Sequence, residues 1–173
     1  GPIPKSLKNC TGLLRVRLEG NQLTGNITED FGIYPNLNYI DLSDNNLYGE
    51  LSSKWGKCRN LTSLKLSNHK ISGTIPPELS EATQLHELDL SSNHLTEKIP
   101  KEFGRLKSLL KLLLSNNQLL DDIPSIIGML SHLTDLNLAS NNLNGLIPKQ
   151  LGECSELLFL NLSKNKLEGR IPF

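Results

Sequence analysis

The chain has 173 residues, with 18 basic and 18 acidic side chains and a formal net charge of zero. This balance gives no general attraction to nucleic acid or to an anionic membrane. No run of about 18 apolar residues is present, so the sequence predicts no membrane span in this segment. Aromatic residues make up only 5% of the chain, which means that leucine must supply most of any core.

A 24-residue period runs through the chain. Related segments begin at Leu13, Leu37, Leu61, Leu85, Leu109, Leu133 and Leu157. The clearest copy is LTDLNLASNNLNGLIPKQLGECSE, residues 133–156. Unbroken repetition at this period indicates a solenoid whose units pack on their neighbours. We expect one solenoid segment over residues 1–173, truncated at both ends and without capping modules, so that its open ends allow end-to-end self-association.

Each unit divides into a strand and a return segment. In L-x-x-L-x-L, apolar and polar residues alternate, which predicts a short strand with one buried face. Strands stacked about 4.8 Å apart would form one parallel sheet over a continuous leucine core. The G-x-I-P half predicts a turn and a short helical or extended return. Its prolines belong outside the main sheet because proline cannot donate a ladder hydrogen bond: Pro76, Pro100, Pro124, Pro148 and Pro172.

An asparagine occupies the ninth position of six units. These residues are Asn21, Asn45, Asn93, Asn117, Asn141 and Asn165. A buried amide needs partners, so we expect a ladder of asparagines bonded to neighbouring backbones. His69 takes this position in the remaining unit, and it is either a tolerated defect or a pH-sensitive weak point.

Two further positions depart from the repeat. Glu97 and Asp121 replace the expected glycine, and Thr28 and Ser52 replace the expected proline. Together with Asp122, the two acidic residues predict a short acidic strip on one lateral face. This strip is either a solvated edge or a partner contact.

The three cysteines share one repeat position. Cys10, Cys58 and Cys154 lie two and four units apart, or roughly 10 and 19 Å at the strand spacing. A disulfide needs Cα atoms within about 7 Å. We therefore expect buried free thiols.

No pattern for catalysis is present in the sequence. It contains neither a nucleotide-binding glycine motif nor a metal-ligand spacing, so we expect no enzyme activity, no cofactor and no metal. Asp41 and Asp89 share a strand position but lie two units apart, roughly 10 Å, which does not make a catalytic pair.

The variable strand positions are the candidate binding residues. Residues three and five of each unit point away from the core, onto one open face of the sheet. The residues we single out there are Arg15, Arg17, Tyr39, Asp41, Ser63, Lys65, Glu87, Asp89, Lys111 and Leu113. Mixed charges, rings and apolar groups suit an extended peptide. Alternating signs do not suit a phosphate backbone, which needs a basic stripe.

The repeat resembles the plant-specific class of leucine-rich repeat. The resemblance implies an α/β repeat fold: a right-handed leucine-rich repeat solenoid with a parallel concave sheet and a convex side of short 3-10 or extended segments. The run from Asn21 to Leu64, with Trp55 in KWGKC, is similar to the male-discoverer-interacting subfamily of receptor-like kinases. Such ectodomains bind secreted peptide or protein ligands and recruit a co-receptor kinase ectodomain. In several of them an R-x-R pair holds the ligand carboxylate, and Arg15-Val16-Arg17 matches that pair. Arg15 and Arg17 either have this role or are an ordinary solvated pair.

Four N-x-[ST] sequons accompany the repeat, at Asn9, Asn26, Asn60 and Asn161. With the resemblance, they favour a plasma-membrane receptor ectodomain that enters the secretory pathway and is extracellular. Two alternatives remain open. One is a secreted inhibitor of a pathogen cell-wall enzyme, similar to polygalacturonase-inhibiting proteins, and the other is a free-standing interaction scaffold.

Overall fold

The structure, a computed structural model, describes residues 1–172. Over this range the chain forms two parallel sheets of seven strands each. The first sheet contains β1 (Arg15–Arg17), β3 (Tyr39–Asp41), β5 (Ser63–Lys65), β7 (Glu87–Asp89), β9 (Lys111–Leu113), β11 (Asp135–Asn137) and β13 (Phe159–Asn161). The second contains β2 (Thr24–Asn26), β4 (Asn46–Glu50), β6 (Lys70–Thr74), β8 (His94–Glu97), β10 (Gln118–Asp121), β12 (Asn142–Leu146) and β14 (Lys166–Glu168).

The first sheet is the predicted concave sheet. Its strands follow chain order, and each residue is paired with the residue 24 positions later, as in Val16 with Ile40 and Ile40 with Leu64. The register does not slip, because every unit has the same length and a one-residue shift would turn the leucines outward. The predicted leucine-rich repeat solenoid is confirmed.

The return segments combine both conformations that the sequence allows. Six 3-10 helices lie within the described residues: Lys5–Asn9, Ser53–Lys57, Pro77–Glu81, Lys101–Arg105, Ser125–Met129 and Lys149–Glu153. The extended parts pair with each other to form the second sheet, which the sequence did not predict. Proline lies outside both sheets, and Pro76, Pro100, Pro124 and Pro148 each precede a 3-10 helix with φ between −61° and −68°.

The core fills the space between the two sheets. Leu64, Leu88 and Leu112 stack along the solenoid and are fully buried. Near the amino-terminal units, Trp55 and Phe31 fill the core with rings whose centroids are 6.1 Å apart. Each unit therefore buries its leucines only against its neighbours.

The ninth-position asparagines form a hydrogen-bond ladder. Asn93 Nδ2 donates to the carbonyl of Leu66 in the preceding unit at 2.8 Å and to Leu90 in its own unit at 3.1 Å. Its Oδ1 accepts the Ile71 backbone N–H at 3.2 Å. Comparable inter-unit bonds are made by Asn45, Asn117, Asn141 and Asn165. Asn21 is exposed and donates to carbonyls of its own turn.

His69 fits the ladder incompletely. Its Nδ1 accepts the Leu47 backbone N–H at 3.3 Å, as an asparagine oxygen would. Its Nε2 is buried and has no hydrogen-bond partner among the described residues. Burial lowers the pKa of His69, although backbone carbonyls and the carboxylates of Asp44 and Asp41 oppose that shift. Burial therefore favours the neutral form of the imidazole.

The acidic replacements of glycine lie in a tight row of the second sheet. At the same repeat position a Cβ on Gly49 would approach Asn26 Oδ1 to 2.6 Å, and one on Gly73 would approach Glu50 Cγ to 3.0 Å. Glycines here have positive φ, and Glu97 and Asp121 adopt φ of 65° as well, a conformation that L-residues disfavour.

The predicted acidic strip is partly neutralised. Lys98 lies one unit before Asp121, and its Nζ is 3.1 Å from the Asp121 carboxylate. Glu97 and Asp122 remain exposed.

The cysteine prediction is wrong at one position. Cys58 and Cys154 are buried, and burial raises the pKa of both thiols. Cys10 is exposed, and the 3-10 helix Lys5–Asn9 directly before it buries none of its residues either. All three are free.

Replacing Leu138 by alanine should lower the free energy of unfolding by about 2–5 kcal/mol, because the fully buried side chain would leave a cavity. Denaturant unfolding measures the loss. Leu146→Ala is the matched control, since Leu146 is 63% exposed and should lose less than about 1 kcal/mol. Equal losses in the two variants would contradict the core assignment.

Replacing Glu97 by glycine should stabilise the chain by about 0.5–1 kcal/mol, because relief of the left-handed strain exceeds the added entropy of the unfolded chain. The comparison variant is Gly73→Ala, which puts a side chain into the same conformation and should destabilise. Chemical denaturation of both variants measures the sign of each change in the free energy of unfolding. A loss of stability in Glu97→Gly would show that the backbone is not strained at this position.

Replacing His69 by asparagine should restore the ladder and stabilise the chain by about 0.5–1.5 kcal/mol at pH 7. Because the folded-state pKa lies below the ordinary 6.5, the unfolded state takes up the proton first, and the wild-type chain loses stability as the pH falls below about 6.5. Thermal melts between pH 7 and pH 5 should therefore show a smaller decline for His69→Asn. The exposed His94→Asn should follow the wild type, and a His69→Asn profile parallel to the wild type would refute this account.

Candidate ligand-binding face

The open side of the first sheet carries the candidate binding residues. We call it the concave face and define it by the third and fifth residues of each unit: Arg15, Arg17, Tyr39, Asp41, Ser63, Lys65, Glu87, Asp89, Lys111, Leu113, Asp135, Asn137, Phe159 and Asn161. The middle residue of each strand from β1 to β11, such as Ile40 or Leu88, is buried in the core. Strand alternation thus places all these side chains on one surface.

The two arginines do not form an open pair. The Arg15 guanidinium lies over the Tyr39 ring, 4.2 Å from its centroid, in a cation–π arrangement. Arg17 Nε donates to Glu19 Oε1 at 2.9 Å, and a second guanidinium nitrogen contacts the same oxygen. The hydrogen bond to Glu19 raises the pKa of Arg17 and lowers that of Glu19. Each guanidinium therefore has a partner within the chain.

A charge cluster occupies the centre of the face. Lys65 Nζ is 3.8 Å from Asp41 and 3.7 Å from Glu87. Burial opposes the charge on Lys65, but the carboxylates of Glu87, Asp41 and Asp89 help to raise its pKa above the usual value. The ammonium on β5 thus bridges acidic residues of the two neighbouring strands, β3 and β7.

Two of the predicted binding positions are not open to solvent. Asp41 is 7% exposed and Ser63 is 6% exposed, because longer neighbours on adjacent strands cover them. Asp41 also accepts the Ser43 backbone N–H at 3.0 Å. These two residues are placed to support the face rather than to meet a ligand directly.

The remaining predicted positions are more open. Asp89 accepts the Ser91 backbone N–H at 3.0 Å and its hydroxyl at 2.6 Å. Lys111 is exposed, and within residues 1–172 no carboxylate lies at ion-pair distance from it. Leu113 is half-buried beside it.

The far end of the face holds a depression. It has a volume of about 580 Å³ and lies over β11 and β13. Leu113 is the one predicted binding residue that lines it, together with Asp135 and Phe159. Phe159 is 66% exposed, and an aromatic ring at a solvent-facing strand position is the sequence signal that points here.

The four sequons differ in their surroundings. Asn9 and Asn60 are exposed, and Asn60 Nδ2 donates to the Pro35 carbonyl at 3.0 Å. Asn26 is half-buried, and its Oδ1 caps the backbone N–H groups of Thr28 and Glu29. Asn161 is exposed on the concave face and lines the depression.

No helix in the described part of the chain is long and apolar enough to cross a membrane. Across residues 1–172, no group of three or more histidine, cysteine or acidic side chains could hold a metal ion.

The family assignment follows from sequence and structural similarity. The family described as "Leucine rich repeat" matches residues 59–119, and a second family of the same description matches residues 36–58 and 132–154. No curated protein sequence matches the chain.

Solved structures of plant receptors resemble the whole chain. The plant peptide hormone receptor RGFR1 in complex with RGF2 is 33% identical with a TM-score of 0.85, over 99% of this chain and 31% of that one. The Arabidopsis receptor kinase HAESA, in complex with the peptide hormone IDA and the co-receptor SERK1, is 35% identical with a TM-score of 0.79, over 99% of this chain and 33% of that one. This chain therefore spans about a third of the length of these two receptors.

A shorter receptor matches over most of its own length. Pollen Receptor Kinase 3 is 33% identical with a TM-score of 0.81, over 90% of this chain and 76% of that one. The finer similarity to the male-discoverer-interacting subfamily stays a prediction. With its 24-residue units and matched sheets, the chain belongs to the leucine-rich repeat family and is similar to the ectodomains of plant receptor kinases.

Proposed function

We propose that the chain is a non-enzymatic recognition segment of a plant receptor-like kinase ectodomain, and that it binds a secreted peptide along its concave face. The observation that carries this proposal is the face itself. Seven aligned strands present charged, aromatic and apolar side chains on one surface outside the core. Because the core does not need these side chains, they can determine which ligand binds.

The dimensions of the concave face suit an extended ligand. Six strand-to-strand steps of about 4.8 Å span roughly 29 Å. An extended peptide advances about 3.3 Å per residue, so roughly nine residues would cover the face. A rigid sheet also binds without a large ordering cost of its own.

The similar receptors support the same class of ligand. RGFR1 and HAESA are each described in complex with a peptide, and HAESA also with a co-receptor. By extension, the parent of this chain would act outside the cell and recruit a co-receptor kinase ectodomain once the peptide is bound. The exposed sequons Asn9 and Asn60 are compatible with that location.

The arginines define where an anionic group of the ligand would bind. A carboxylate near Arg15 and Arg17 could accept forked, charge-assisted hydrogen bonds from both. To do so it must compete with Glu19 for Arg17 and lift Arg15 from the Tyr39 ring. A ligand carboxylate at this end would therefore replace the present partners of the two arginines. Such an exchange contributes more to the orientation of the ligand than to its affinity.

Replacing Arg15 and Arg17 together by alanine should weaken binding of the cognate peptide at least tenfold, because the anionic group loses both donors. The thermal melt should stay unchanged, since exposed charges contribute little to stability. Binding is measured by calorimetry with a peptide selected from a secreted-peptide screen.

Arg105→Ala with Lys107→Ala is the matched control, because both side chains are exposed and lie outside the concave face. Glu19→Gln should strengthen binding by freeing Arg17. Normal affinity in the Arg15/Arg17 variant would show that the pair does not hold the ligand.

A further inference from the structure

The depression at the end of the concave face is lined by both polar and apolar residues. It is formed by Leu113, Asp135, Leu136, Asn137, Leu158, Phe159, Leu160 and Asn161. Leu158 and Phe159 are 74% and 66% exposed, in part because β13 is the edge strand of the first sheet within the described residues. The polar side chains of Asp135 and Asn137 lie on β11. Apolar side chains lie on either side of them, Leu113 on β9 and Phe159 on β13.

Asp135 is the charged group of this depression. Its carboxylate accepts the Thr134 hydroxyl at 2.7 Å. Over residues 1–172 no cationic side chain lies within 4.0 Å of it, including Lys111, which occupies the matching position on the neighbouring strand. In contrast, Asp41 and Glu87 already share Lys65. Asp135 can therefore accept a cation from a ligand without displacing an ion pair.

A carboxylate beside apolar side chains favours a ligand group that has both an apolar stem and a positive charge. The methylene stem of lysine or arginine covers apolar surface while its charged head stays at a polar group. Exposed aromatic rings attract such a head through their faces, and a carboxylate adds charge-assisted hydrogen bonds. A purely apolar side chain would bury the Asp135 carboxylate without compensation.

We propose that this depression binds an arginine or lysine side chain of the peptide ligand. The stem packs between Leu113 and Leu158, the head hydrogen-bonds to Asp135, and the Phe159 ring contacts the head. This inference rests on the proposed function, because it assumes a peptide on the concave face. It adds a second anchor that the arginine pair does not supply.

The strand spacing also fixes how far apart the two anchors lie. Five steps separate β1 from β11 in the first sheet, or about 24 Å at 4.8 Å each. An extended peptide covers this distance in roughly seven residues. The ligand should therefore carry its basic residue about seven positions from the anionic group that meets Arg15 and Arg17.

The test uses a random dodecapeptide phage library selected on the whole chain. The chain is produced without N-linked glycans, because Asn161 lines the depression. Enriched peptides are synthesised, and their affinities are measured by fluorescence polarisation. We expect a basic residue in the enriched sequences and at least tenfold weaker binding to Asp135→Asn and to Phe159→Ser.

A double-mutant cycle identifies the contact. Replacing the peptide's basic residue by alanine should weaken binding to the wild-type chain at least tenfold and have little further effect on Asp135→Asn. Glu156→Gln and Met129→Ser are matched controls, exposed but outside the concave face, and should bind normally. All variants should have the melting temperature of the wild-type chain, which distinguishes the loss of a contact from unfolding.

Two results would overturn the inference in distinguishable ways. If binding needs Arg15 and Arg17 but tolerates Asp135→Asn and Phe159→Ser, the depression is not an anchor and the proposed function stands. If binding tolerates all of these changes, the peptide does not use the concave face and both proposals fail.

Discussion

The stacking of identical 24-residue units in one register is the constraint on which the rest of the structure depends. Each unit satisfies part of its backbone through the next, since an asparagine such as Asn93 bonds both to its own turn and to the unit before it. The leucines are buried only when neighbours are aligned. Polar and apolar interactions therefore require the same register, and a change in unit length would disrupt both.

This shared register explains why local departures are tolerated. His69 leaves one ring nitrogen unpaired, and Glu97 holds a left-handed backbone, yet the sheets continue through both units. Stability in a solenoid is approximately a sum of unit and interface contributions. A defect therefore weakens its own interfaces without changing the architecture, and the free energy lost there does not alter the spacing of the concave face.

The concave face has two parts, which differ in whether their charged side chains have partners within the chain. Between β1 and β7 the arginines and Lys65 have partners within the chain, so a ligand there gains mainly orientation. Between β9 and β13, Asp135 has no cationic partner among the described residues and Phe159 is exposed, so a ligand could gain affinity from them. One part would therefore orient an extended peptide and the other would contribute affinity. Both effects depend on the rigidity of one sheet.

The sequence by itself determined the fold, because a 24-residue repeat can bury its leucines only when its units stack in register. It also placed Arg15, Tyr39 and Lys65 on one surface, since strand alternation is a local property. Only the tertiary structure decided that Arg17 pairs with Glu19, that Asp41 and Ser63 are covered, and that Cys10 is exposed. The pairing of Arg17 with Glu19 depends on rotamers within one unit, and the covering of Asp41 and Ser63 depends on the sizes of side chains on neighbouring units. The second sheet and the depression at Phe159 likewise arise from inter-unit packing, which no single repeat contains.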